Sequence, residues 1–174
     1  GLNRPAAIEK FPQLFPGCPE SGEACLQRYR AWMDDYIREN GVPVKPGLRE
    51  LLAWLKQAHI LCAVATSTFT NVAIGYLKNA GVLNCFAAIV GGDQVTKSKP
   101  DPEIFQLAMR ALGKQTPETC VVFEDSRNGL LAGANGGFPV IVVPDLFDPT
   151  LELPGLCYAR CARLDEAIDV IQNS

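Results

Sequence analysis

The sequence has little histidine and no paired-cysteine motif. There is one histidine in 174 residues, His59, and no Cys-x-x-Cys, which removes the usual zinc-knuckle ligand sets. Basic clusters are also missing. With a net charge of -3 and no run of lysine or arginine, a nucleic-acid partner is excluded as an expectation. No apolar run approaches the roughly 18 residues that a membrane span needs, so no membrane partner is expected. The opening stretch, GLNRPAAIEKF, has no apolar centre of the signal-peptide kind. Internal repeats and low-complexity tracts are absent as well. Seven cysteines, at 18, 25, 62, 85, 120, 157 and 161, are an odd number scattered partly through apolar runs. They read as mostly buried thiols of a cytoplasmic protein. His59 falls where a helix ends, an ordinary surface position.

What is present is a soluble globular composition, 48% hydrophobic and 20% charged, in a length that suits one domain with a small appendage. Residues 22–40 carry Leu26, Tyr29, Met33, Tyr36 and Ile37 at helical spacing, stopped by Gly41. VPVKPG (42–47) reads as a linker. A second helix follows, with the stripe Leu48, Leu51, Leu52, Leu55. From there strands and helices alternate. ILCAVAT (60–66) is a short, wholly apolar run, as expected for a strand covered on both faces, and FAAIV (86–90), CVVF (120–123) and PVIVV (139–143) read as further strands. Helices are expected over 70–80, from Asp101-Pro102 with the face Ile104, Phe105, Ala108, Leu112, over 127–135, and over 164–172. This pattern predicts an α/β fold with a parallel, Rossmann-like sheet. Residues 1–40, helical only, read as a separate small unit, and residues 41–174 as the core.

One stretch, CVVFEDSRNG (120–129), raises a question of charge. An apolar strand runs straight into Glu124 and Asp125, two anions that repel each other and are costly to bury unpaired. In an open parallel sheet, ligands bind beyond the carboxyl ends of the strands. Three polar clusters fall there: Thr66-Ser67-Thr68 after one strand, KSKPDP (97–102) ahead of another, and Glu124-Asp125-Ser126 after it. Hydroxyls and free N–H groups suit phosphate oxygens. A lysine suits phosphate charge. Hard carboxylates suit Mg²⁺. The expected positive partner of Glu124 and Asp125 is therefore a metal ion, with Lys99 close by and aimed by the restriction that Pro100 imposes.

That ordered set resembles the haloacid-dehalogenase (HAD) superfamily of phosphatases and phosphotransferases. AVATST resembles its second motif, KSKPDPEIF its third, and VVFEDSRNGLLAGANGGFPVIVVP its fourth. GVPVKPGLRELLAWLK is similar to the return from a helical cap to the core, in the subgroup of beta-phosphoglucomutase and related sugar-phosphate phosphatases. The likeness is good over about residues 40–144. It implies that Thr66 binds the transferring phosphate through its hydroxyl and Ser67 through its N–H. Lys99 would neutralise phosphate and nucleophile. Asp125 would hold Mg²⁺, with Glu124 ligating it or supporting its waters. In GLNRPAA, similar to a cap substrate loop, Arg4 would grip a distal anion, and Arg28 would do so on a weaker match. The partner implied is a small phosphorylated metabolite, and a monomer is the default expectation.

The departure from the family is the first motif. Its Asp-x-Asp supplies the attacking carboxylate and the general acid/base, and this sequence contains no Asp-x-Asp. Asp34-Asp35, Asp93, Asp145 and Asp148 do not fit the pattern. The expectation is an N-terminally shortened version of such an enzyme, with residues 1–40 a partial helical cap and 41–174 a core lacking its first strand. Three readings stay open: a Mg²⁺-dependent phosphate monoester hydrolase working through an aspartyl-phosphate, a beta-phosphoglucomutase-like phosphotransferase, and a non-catalytic fragment or phosphate-binding protein. If the central strand is missing, either its two neighbours keep their spacing or they close up and pair directly.

Overall fold

The structure is a computed structural model that describes the backbone of residues 4–173 and the side chains of residues 7–173. It opens with two helices, α1 (Arg4–Leu14) and α2 (Gly22–Asn40). Ser21 caps α2, its hydroxyl accepting from the Ala24 N–H at 3.2 Å, and the Gly41 N–H closes the other end on the Ile37 carbonyl. The two helices pack where Gly22 meets Phe11; a Cβ at Gly22 would sit 2.8 Å from the Phe11 Cβ. Little else is covered. Gly22 is the only buried residue among the described side chains up to residue 40. Tyr29 and Tyr36, expected on the apolar face of α2, are exposed, and Trp32 stacks between them.

The remainder alternates as expected: α3 (Leu48–Gln57), β1 (Ala63–Ala65), α4 (Thr70–Asn79), β2 (Ala88–Val90), α5 (Glu103–Ala111), β3 (Val122–Glu124), α6 (Arg127–Asn135), β4 (Val140–Val142), β5 (Ala159–Arg160) and α7 (Ala167–Gln172). Every strand pairing is parallel. The strands form two sheets, however. β1 pairs with β2, and β3, β4 and β5 pair in that order. β1 and β3 have therefore not closed up on each other. This explains a correction: residues 60–66 are not a strand covered on both faces. Only Ala63–Ala65 are strand, half-buried, and Leu61 is exposed, because β1 has a neighbouring strand on one side alone.

β4 shows why its run is wholly apolar. Val140 and Val142 face one core with Phe105, Ala108, Leu130 and Val122. Ile141 and Val143 face another with Leu51, Leu55, Cys161 and Ala167. Alternate residues of one strand thus serve helices on opposite faces, α5 and α6 on one and α3 and α7 on the other. The expectation of mostly buried cysteines is corrected. Of the seven free thiols only Cys161 is buried; Cys62 and Cys120 lie just before their strands rather than in them. Among the described residues no helix is long and apolar enough to cross a membrane.

Candidate active site

Lys99 organises the site. It lies on the loop between β2 and α5, and that loop is tied down from both ends. The Glu103 carboxylate accepts from the N–H groups of Thr96 and Lys97 and from the Thr96 hydroxyl. Those backbone donors hold the Glu103 carboxyl below the usual carboxylate range. Asp101, expected as the N-cap of α5, lies one residue before the N-cap position, which is Pro102, but its side chain still accepts from the Glu103 N–H at 3.0 Å and so satisfies a free donor at the helix start. Asn135 of α6 donates to the Pro100 carbonyl at 3.1 Å. The Lys99–Pro100 bond is cis.

From this loop the Lys99 ammonium reaches the gap between the two sheets. It donates to the Ala65 carbonyl, at the end of β1, at 3.3 Å, and to Glu124 Oε1, at the end of β3. It also stands 4.6 Å from the centre of the Phe105 ring. Both partners of the Lys99–Glu124 pair are 8% exposed. The other Glu124 oxygen accepts from the Asp125 N–H, the Ser126 N–H and the Ser126 hydroxyl. Gly129, one turn into α6, makes room for this carboxylate, since a Cβ there would overlap it. Lys99, expected close by, is therefore a direct positive partner of Glu124. Both Glu124 oxygens are thus engaged, one by Lys99 and the other by the Asp125 and Ser126 donors, at the wall of a cleft.

Asp125 is placed differently. Ser126, not Asp125, caps α6, its hydroxyl accepting from the Gly129 N–H at 3.1 Å. That leaves the Asp125 carboxylate, 42% exposed, turned to a cleft of about 330 Å³. Thr66, Ser67, Lys99, Glu124 and Ser126 share the walls of this cleft. The Thr66 hydroxyl accepts from the Thr68 N–H at 3.1 Å, which orients it at the strand end. The expected convergence of Thr66, Lys99 and Asp125 is present. Among the described residues no three His, Cys, Asp or Glu side chains gather to hold a metal. One carboxylate facing a cleft still fits Mg²⁺, which keeps waters and takes oxygens from substrate phosphate beside one or two carboxylates.

The cap candidates stand apart. The Arg4 side chain lies outside the described residues. Arg28 is 70% exposed and donates to Glu20, a surface ion pair. A further cleft residue, Lys45, lies in the stretch read as a linker. The signal was available in Lys45-Pro46, the same dipeptide as Lys99-Pro100. Asp93 is also occupied: it accepts from the N–H and hydroxyl of Thr70 at 2.6 and 2.8 Å, capping α4, and these bonds lower its pKa.

The chain is similar to several known proteins. It is 42% identical over 103 residues to the phosphorylated carbohydrates phosphatase of Thermotoga maritima, covering 59% of this chain and 45% of that one. Among solved structures, a putative beta-phosphoglucomutase from Thermotoga maritima superposes with a TM-score of 0.75 at 29% identity, covering 99% of this chain and 79% of that one. CbbY from Rhodobacter sphaeroides, solved in complex with phosphate, gives 0.74 at 27% identity, covering 92% and 74%. The chain spans about half the length, or less, of the first curated relatives it matches. The haloacid dehalogenase-like hydrolase family matches residues 3–137, and with parallel α/β architecture and the motif residues gathered at one cleft, the chain belongs to that family.

Proposed function

We propose that this chain is the phosphate-handling part of a phosphatase that hydrolyses phosphate monoesters of small phosphorylated metabolites, of the sugar-phosphate class. One observation carries the reading. A lysine ammonium is held in a buried pair at the meeting point of two strand ends, beside a hydroxyl and a cleft-facing carboxylate. A fixed cation so placed offsets charge on a transferring phosphoryl group without reorganising at the moment of reaction. The names of the similar proteins, a phosphorylated carbohydrates phosphatase and a phosphate complex of CbbY, support the substrate class.

In this reading the Thr66 hydroxyl donates to a phosphate oxygen, Ser67 offers its N–H, and Lys99 neutralises phosphate and nucleophile. Glu124 keeps Lys99 in place, and Asp125 holds Mg²⁺. When bound, the metal polarises the phosphoryl group and balances its charge. The attacking carboxylate is not one of this chain's residues, and it reaches phosphorus from the gap between β1 and β3. Residues 1–40 serve as part of a cap over the cleft.

Phosphate release from small sugar phosphates tests the reading. A protein carrying this chain together with an apolar strand ending in Asp-x-Asp is expected to turn over in Mg²⁺, and to lose at least tenfold on Lys99→Ala or Asp125→Asn. The 174-residue chain alone is expected to bind orthophosphate and release none from esters. Parental turnover in either variant, at limiting Mg²⁺, would overturn the role of that residue.

A further inference from the structure

The two neighbouring carboxylates each have their own lysine, and the two pairs differ in kind. Glu124 and Lys99 are largely withdrawn from solvent at the cleft wall, each side chain 8% exposed. Asp125 faces Lys45, whose ammonium lies 3.6 Å from Asp125 Oδ2 with 28% of the side chain exposed. Lys45 is not a loose surface lysine. Its segment is fastened to the C-terminal part of the chain: the Pro46 carbonyl accepts from the Leu164 N–H at 3.0 Å. Gly47, at φ +82°, sits so tightly on Asp165 that a Cβ would overlap it. Pro46 further restricts the Lys45 backbone. The ammonium has three donors and three acceptors around it. It donates to the Pro144 carbonyl at 3.2 Å and lies 3.6 Å from Asp125 and 3.9 Å from Asp145.

We infer that Lys45 is the resident counter-cation of Asp125 and sets how tightly the cleft takes a divalent metal. The inference rests on the reading of Asp125 as the metal-facing carboxylate. A cation approaching Asp125 meets an ammonium already there, and like charges at this range repel. The metal therefore displaces Lys45, which keeps the Pro144 carbonyl and Asp145 as a second resting place on the same loop. The outer pair is the exchangeable one because both its partners are partly solvated, and a partly exposed ion pair is weak. The inner pair is not, since stripping Lys99 from Glu124 would leave a buried charge alone. Lys45 thus lowers metal affinity and supplies positive charge to the cleft before the metal arrives.

Titration of the 174-residue chain with Mn²⁺ in the presence of orthophosphate, reading the free-ion EPR signal at pH 7 against a protein-free phosphate control, tests this without any turnover. The neutral variants Lys45→Met and Lys45→Gln are expected to bind Mn²⁺ about two- to fivefold more tightly than the parent, the size of effect a partly exposed pair allows. Lys45→Arg is expected to stay within about twofold. Asp125→Asn is expected to lose the site, alone and combined with Lys45→Met. If Asp125→Asn loses Mn²⁺ but both neutral variants bind no more tightly than the parent, the role of Lys45 is overturned and the metal reading stands. If the parent binds no Mn²⁺, or Asp125→Asn binds like the parent, both fall together.

Discussion

The helical pair, α1 and α2, and the α/β unit after Gly41 use the same kinds of residue to different effect. Both contain aromatic residues and both contain lysine or arginine beside carboxylates. In the α/β unit the aromatic Phe105 is buried against Phe138 and under the Lys99 ammonium. In α2 the rings of Tyr29, Trp32 and Tyr36 stack on one another and stay exposed. The difference lies in what surrounds them. Two packed layers enclose the strands, whereas a two-helix pair has only one seam to bury, at Gly22 and Phe11. Residue type alone says little about energy, and coverage decides it.

The largest expected effect breaks this comparison on its buried side. Lys99→Met strands the Glu124 carboxylate, and Glu124→Gln strands the ammonium, at positions 8% exposed. Each is expected to cost about 3–5 kcal/mol, as for other buried pairs deprived of one partner. The double variant Lys99→Met/Glu124→Leu is expected to recover most of that loss, because no charge is left uncompensated. Urea unfolding of the three variants measures it. A loss under about 1 kcal/mol in both single variants would mean that water reaches the pair.

Hydrophobic truncation gives the next contrast. Leu130, on α6, is fully buried, and Leu130→Ala is expected to cost about 2–5 kcal/mol. Trp32 is the larger side chain, yet it is 58% exposed, and Trp32→Ala is expected to stay within about 0.5 kcal/mol. Equal losses in the two, by the same unfolding measurement, would show that the aromatic face of α2 is covered in solution.

Acid sharpens the comparison further. In the α/β unit Asp93 is held below the usual carboxylate range by the Thr70 N–H and hydroxyl, Glu103 by the N–H groups of Thr96 and Lys97, and Asp148 by the Thr150 hydroxyl and Arg160. A carboxylate whose pKa is lowered by folding binds fewer protons in the native state. Its contribution is complete above the ordinary carboxylate range and is lost as the pH falls through the folded value. Stability is therefore expected to be flat from about pH 7 to 5 and to decline below about pH 4. Glu103→Gln should make the decline shallower. An unchanged slope in that variant, read from urea midpoints against pH, would remove Glu103 as a cause.

Much of this organisation was legible in the sequence, and the exceptions have physical reasons. The helices α3 to α6 and the strands β2 and β4 follow from period and punctuation, since each turns part of itself into the core, whereas α2 was legible from its spacing although its tyrosines stay exposed. Thr66, Ser67, Lys99 and Asp125 were legible because strand ends converge in a parallel sheet. Lys99 was expected close to Glu124 for the same reason, but its direct pairing with one Glu124 oxygen was not legible, because the two are 25 residues apart and only the fold aligns them. Lys45 was hidden for a related reason. Its proline and glycine neighbours mark a linker, and only its anchorage at Leu164 and Asp165 turns that linker into a wall of the cleft. β5 is two residues long and carries no pattern to read. The division of the strands into two sheets depends on which edges meet, a property of the assembled layers rather than of any one segment.

The smallest expected effect lies in the helical pair's own ion pairs. Arg28 with Glu20 and Arg38 with Asp35 are close contacts, but Arg28 and Arg38 are 70% and 71% exposed. Water solvates these groups almost as well apart as together, and holding two long side chains in register costs entropy. Arg28→Ala is therefore expected to change stability by no more than about 1 kcal/mol, and a double-mutant cycle with Glu20→Ala should give a coupling inside that limit. In about 1 M salt the screening length shrinks to roughly 3 Å, and the coupling should fade. The Lys99–Glu124 pair, 8% exposed, should lose less in the same salt. A coupling above about 2 kcal/mol between Arg28 and Glu20 that survives high salt would mean that this pair is buried in solution, and the contrast between the two regions would fail at its simplest point.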